Sequence, residues 1–104
     1  MYIAMNRFRV HKDFETVFET MWKERDSHLH EVPGFQEFHL LKGPVDGEGT
    51  LYATHTIWES HTAFQDWTQS ESFRKAHKKA RTRQVNYLGH PQFEGFEVIL
   101  EQTK

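Results

Sequence analysis

Residues 2–10 alternate between two sets of side chains: Tyr2, Ala4, Asn6, Phe8 and Val10 on one face, Ile3, Met5, Arg7 and Arg9 on the other. A period of two is that of a strand. From about residue 12 to 28 the period lengthens. Phe14, Val17, Phe18, Met21, Trp22 and Arg25 recur at the i, i+3, i+4, i+7 spacing of an amphipathic helix. Asp13 and Glu15 stand near its start, where the helix dipole favours negative charge. Pro33-Gly34 breaks the pattern, Phe35–Lys42 reads as a second strand, and the glycine-rich stretch from Gly43 to Gly49 reads as a turn. Thr50–Glu59, rich in Thr, Tyr, Ile and Trp, predicts a third strand and closes a long hairpin.

Ser60 is placed to cap a helix carrying Ala63, Phe64 and Trp67. Thr68-Gln69-Ser70-Glu71 has the spacing of a capping box and restarts the helical pattern with Phe73, Ala76, His77 and Ala80. Residues 82–92 read as a loop, and Gln92–Glu101 as a last strand. The order β-α-β-β-α-(α)-β predicts an α+β fold of the ferredoxin-like kind, one antiparallel sheet with helices on one face. The opposite face also carries large apolar residues. Pairing two sheets in a dimeric α/β-barrel-type assembly would cover them, so a homodimer is expected.

At 104 residues the chain fits a single domain, residues 1–104. Such a domain buries roughly two-thirds of the surface its unfolded chain exposes. The net charge of −2, with both signs mixed along the chain, offers no basic stripe for phosphates and argues against a nucleic-acid partner. With no cysteine, disulfides, thiolate nucleophiles and thiolate metal sites are excluded. The first residues turn polar by Asn6, which argues against a signal peptide or membrane segment and for a cytoplasmic protein. Fifteen aromatic residues (nine Phe, three Trp, three Tyr) suit a small core or a flat aromatic ligand.

Three residues depart from their local pattern. His77 falls on the apolar side of its helix, three before Ala80 and four after Phe73. A hydrogen-bonded core histidine satisfies that placement, and so does a neutral imidazole facing a cavity as an axial ligand to haem iron. Asn6 is an amide on an apolar strand face, so it either bonds to a neighbouring strand or points into a pocket. Trp67 ends its helix and is either ordinary core or a pocket wall. On one unbroken helix Trp67 and His77 would stand ~15 Å apart, too far to meet one flat ligand, and the break near Ser70 removes that obstacle.

The stretch from Trp58 to Trp67, followed by Ser70 to Lys78, resembles the signature of the IsdG-like haem-degrading monooxygenases of the antibiotic-biosynthesis-monooxygenase superfamily. Asn6-Arg7-Phe8 is similar to that family's first-strand element, and Pro33-Gly34-Phe35 to its turn into the second strand. The resemblance implies roles for individual residues. His77 would be the proximal iron ligand, Asn6 the distal amide donating toward bound O2, and Trp67 the bulky residue that buckles the macrocycle, with Phe73 beside it. It further implies haem as both substrate and cofactor, and an external electron donor, either a reductase or a small reductant. Arg74, Lys78, Lys79 and Arg81 are placed to meet the haem propionates, or form a solvated basic helix face. Two rivals remain open: a cofactor-free monooxygenase acting on a quinol-like aromatic, and a carrier or sensor that holds haem without degrading it.

Overall fold

The computed structural model describes residues 1–25, 28–71, 73–75 and 85–104. Four antiparallel strands, β1 (Tyr2–His11), β2 (Phe35–Val45), β3 (Gly49–Trp58) and β4 (Gln92–Glu97), form one sheet in the order β2-β3-β1-β4. Helices α1 (Glu15–Glu24) and α2 (His61–Thr68) pack on one face, the ferredoxin-like arrangement expected. In β1 and β3 the even-numbered residues face the helices. Val10, Tyr52 and Phe18 make one core cluster, and Tyr2, Ala4, Trp58 and Leu29 another. At the centre of the second, Trp58 Nε1 donates to Thr56 Oγ1 (2.8 Å), which donates to the Ala4 carbonyl (3.3 Å). This relay satisfies the buried indole and hydroxyl together.

The α1 pattern breaks earlier than its periodicity suggests. Lys12–Phe14 is a 3-10 turn, α1 stops at Glu24, and Arg25 is extended, its N–H bonded to the Trp22 carbonyl (3.3 Å). Asp26 and Ser27, next in sequence, are weak helix formers. The inward stripe is Phe14, Phe18, Met21, Trp22 and Arg25, of which Phe18 and Met21 are buried, whereas Val17 turns outward at 44% exposure.

Strand β2 runs on to Val45, past the expected end at Lys42, with an extra residue between Lys42 and Val45. Pro44 is tolerated because β2 is an edge strand. The tight turn is Asp46–Gly49, where Asp46 Oδ1 accepts the N–H groups of Glu48 (2.8 Å) and Gly49 (3.0 Å). The last strand is shorter than expected, ending at Glu97 rather than Glu101. Tyr2, where β1 begins, pairs with Glu97, and the Val98 N–H reaches the Met1 carbonyl (3.0 Å). Ile99 and Leu100 are therefore left 95% and 77% exposed.

Candidate active site

A cavity of about 420 Å³ lies between the helix-facing side of the sheet and the helices. Its volume is in the range of small-molecule and cofactor sites, roughly 300–1,000 Å³. The sheet contributes Ala4, Asn6, Phe8, Phe38, Thr54, Thr56 and Phe93. These positions are neighbours by register: Asn6 stands between Thr54 on β3 and Phe93 on β4, and Phe38 pairs with Thr56. Helix α1 and the residues after it add Met21, Trp22, Arg25 and Leu29; α2 and beyond add Phe64, Trp67, Thr68 and Phe73.

The aromatic wall is continuous. Phe64 stacks on Phe93 (5.6 Å, 8°), Trp58 meets Trp67 (5.2 Å), and Trp67 meets Phe73 edge-on (4.8 Å, 88°). The last pair spans the break after α2. The break is made by Ser70 rather than by Thr68: Ser70 Oγ donates to the Trp67 carbonyl (2.6 Å) and accepts the Phe73 N–H (3.2 Å), while Thr68 Oγ1 turns back to the Gln65 carbonyl (2.7 Å). One hydroxyl thus caps the helical turn at 73–75 and ties it to the end of α2.

Of the residues expected at the site, Asn6, Trp67 and Phe73 all line this cavity. His77 lies outside the described residues, as do Lys78, Lys79 and Arg81; Arg74 is exposed. Arg25 and Tyr87 also line the cavity, and sequence reasoning singled out neither. Arg25 occupies an apolar-stripe position, its guanidinium 4.3 Å from the centre of the Trp22 ring, and its Nε is buried without a hydrogen-bond partner among the described residues. An arginine on the apolar face of a helix was the signal available. Tyr87 lies in the stretch read as a loop, yet it bridges to Val10, and its neighbours bond to His11 and Arg9 across the same edge of β1 that β4 uses. Its ring packs on Phe8 and Phe18, each at 6.1 Å, and burial raises its hydroxyl pKa. Trp22 Nε1 is a second buried donor without a partner among the described residues. No cluster of three or more His, Asp or Glu able to hold a bare metal ion occurs among the described residues.

The wall therefore presents flat rings and two buried N–H donors, with arginine as the one charged side chain among its described residues. The fit is to a planar, apolar, anionic ligand rather than to a cation or a polar sugar.

Comparisons with known proteins agree in kind. The family profile described as antibiotic biosynthesis monooxygenase matches residues 1–79. The chain is 27% identical over 78 residues to the staphylobilin-producing haem oxygenase of Staphylococcus haemolyticus, covering 75% of this chain and 74% of that protein. A crystal structure of an MhuD point mutant with two manganese protoporphyrin IX molecules per active site superposes with a TM-score of 0.79 at 30% identity, covering the whole of both chains. The structure of the haem-degrader MhuD from Mycobacterium tuberculosis, with two haems bound in its active site, gives 0.72 at 28% identity, covering 99% of this chain and 100% of that one. With three-quarters of its length matched by the family profile, and an architecture shared over the full chain, this protein belongs to the antibiotic biosynthesis monooxygenase family.

Proposed function

We propose that the protein is a haem-degrading monooxygenase for which haem is both substrate and cofactor, using O2 and an external reductant or reductase. The observation that carries this reading is the aromatic-walled cavity, into which Asn6, Trp67 and Phe73 converge. The buried donors Trp22 Nε1 and Arg25 Nε suit a ligand that brings carboxylates. Bound haem, once reduced, supplies the oxygen chemistry that opens its own ring and frees iron.

The chain's residues do the rest. Asn6, fixed between Thr54 and Phe93, offers a carboxamide donor at the cavity floor. Trp67 presents its ring at the end of α2, where it presses on one face of a planar ligand; Phe73 holds that ring from the side. His77 is the proposed iron ligand, on the strength of the motif it sits in. The apolar wall excludes water, so stray oxidants are kept from the reacting edge.

A homodimer belongs to the same reading. The sheet face away from the helices carries Ile3, Met5, Leu41, Ile57 and Phe96, with Ile99 and Leu100 standing clear beside it. Apolar area of that kind marks a contact surface. No helix among the described residues is long and apolar enough to cross a membrane, and a cytoplasmic site of action, as one domain, is part of the proposal.

The test is an absorption titration with haemin, followed by ascorbate under air. A saturable Soret band that then bleaches supports the proposal. A band that persists indicates a carrier or sensor, and no band at all indicates the cofactor-free monooxygenase.

A further inference from the structure

Among the described residues three threonines line the cavity, Thr54, Thr56 and Thr68. Two of their hydroxyls are committed to the fold. Thr56 Oγ1 donates to the Ala4 carbonyl and accepts the Trp58 indole N–H, and Thr68 Oγ1 donates to the Gln65 carbonyl. Thr54 is different. It is 8% exposed, yet its hydroxyl makes no hydrogen bond among the described residues, and neither does the Asn6 carboxamide. The two stand side by side, since Thr54 on β3 is the cross-strand partner of Asn6 on β1, and these are the central strands of the sheet. Directly opposite residues of an antiparallel pair have Cβ atoms about 4.5–5.5 Å apart. A hydroxyl and an amide on such a pair can reach one common point above the sheet. Their row is otherwise apolar, with Leu40 beside Thr54 and Phe93 beside Asn6. Valine has the shape of threonine and suits a strand equally well, so the fold has no need of the oxygen, and burying it unpaired is costly.

We infer that the Thr54 hydroxyl is a second hydrogen-bond donor beside Asn6, and that the pair holds a small ligand with lone pairs at one point over the cavity floor. The inference rests on the haem reading and deepens it. The small ligand is then the O2 that the reaction consumes. Two donors carried on neighbouring strands fix its direction, where one alone leaves it free to turn. Thr54 thus bears on which edge of the ring is reached, while the porphyrin itself is held by the aromatic wall.

The experiment reads fluoride binding to the ferric, haem-loaded protein from the shift of its absorption bands at one fixed pH. Fluoride accepts hydrogen bonds and donates none, so its affinity reports the donors around it. Thr54→Val, which removes the hydroxyl and keeps the shape, should form the Soret band and bind fluoride roughly tenfold more weakly, the scale of one hydrogen bond to a charged group. Thr54→Ser should recover most of that loss. Equal fluoride binding by Thr54→Val and the unaltered protein overturns the inference and leaves the haem reading standing. A Ser variant as weak as the Val variant also overturns it, because the methyl group rather than the hydroxyl would then matter. Should the Val variant unfold, Thr54→Ala carries the same comparison against Thr54→Ser. If haemin gives no Soret band with the unaltered protein, the haem reading itself fails and the donor pair falls with it.

Discussion

Trp67 and Phe73 meet edge-on at 4.8 Å across a break in the helix, and the hydroxyl of Ser70 bonds to the backbone of both. On a continuous helix the two rings could not meet in this way, because six residues of α-helix separate side chains by ~9 Å along the axis. The cap is therefore part of the site.

Ser70→Ala removes both hydrogen bonds and should cost about 1 kcal/mol of stability, the usual value of a helix cap. It should also weaken haemin binding, since Trp67 and Phe73 lose their tie. Urea unfolding and a Soret titration of the same variant check the two parts. Unchanged binding together with lowered stability would show that the cap serves the fold alone.

Trp67→Phe keeps an aromatic wall with a smaller ring. Haemin should still bind while ring opening slows, because less bulk presses on the macrocycle. Resonance Raman marker bands report the distortion. Undiminished out-of-plane distortion in this variant would count against the steric role.

Tyr52 and Glu19 tie β3 to α1. Tyr52 is almost wholly buried, and its hydroxyl donates to Glu19 Oε2 at 2.5 Å, with Lys42 Nζ 3.4 Å from the same oxygen. The Tyr52 hydrogen bond, more than Lys42, holds Glu19 below the ordinary carboxylate value. The unfolded chain then takes up that proton more readily, so this stability is present above about pH 4.3 and is lost as pH falls through the folded-state pKa. Burial, then Glu19, raises Tyr52, so its contribution is full below about pH 10 and is lost as pH rises beyond. Tyr52→Phe should cost about 1 kcal/mol at neutral pH, discounted for the part-exposed carboxylate. It should also flatten the stability profile at both ends. Thermal melts from pH 3 to 11 check this, and parallel profiles for the two proteins would refute it.

Gly95 on β4 lies directly under the Tyr2 ring, with no room for even a methyl group. Gly95→Ala must displace Tyr2, which packs on Phe64 and, through the same cluster, on Trp58. Overpacking of this kind costs roughly 1–3 kcal/mol. Chemical denaturation is the check, and a loss below a few tenths would mean that Tyr2 moves freely.

The sheet was legible because β1 and β3 are central strands with one face in the core, which forces strict alternation; Asn6 was conspicuous for the same reason. The element ends were less legible, because they depend on partners far away in sequence. β4 stops where β1 begins, and α1 stops where Arg25 turns to lie on Trp22. Arg25 itself read as one more member of the helical stripe. Its meaning depends on what it fails to meet in three dimensions, and a linear pattern does not carry that. Tyr87 was hidden in a stretch without strand periodicity, since it pairs with β1 through a single bridge.

Asn6→Ala and His77→Ala separate the two sides of the proposed site. The first should bind haemin yet lose ring opening; the second should shift or weaken the Soret band and abolish turnover. Full turnover by the Asn6 variant would make the amide structural, and an unchanged spectrum in the His77 variant would remove it as a ligand.

Haem degradation by this protein is tested most directly by iron release. The haem-loaded protein is given ascorbate in air, with catalase to remove free peroxide and a ferrous chelator to report the metal. Iron should appear in step with loss of the Soret band, with no change under argon. A Soret band that persists in air, or one that bleaches only when catalase is left out, would contradict it.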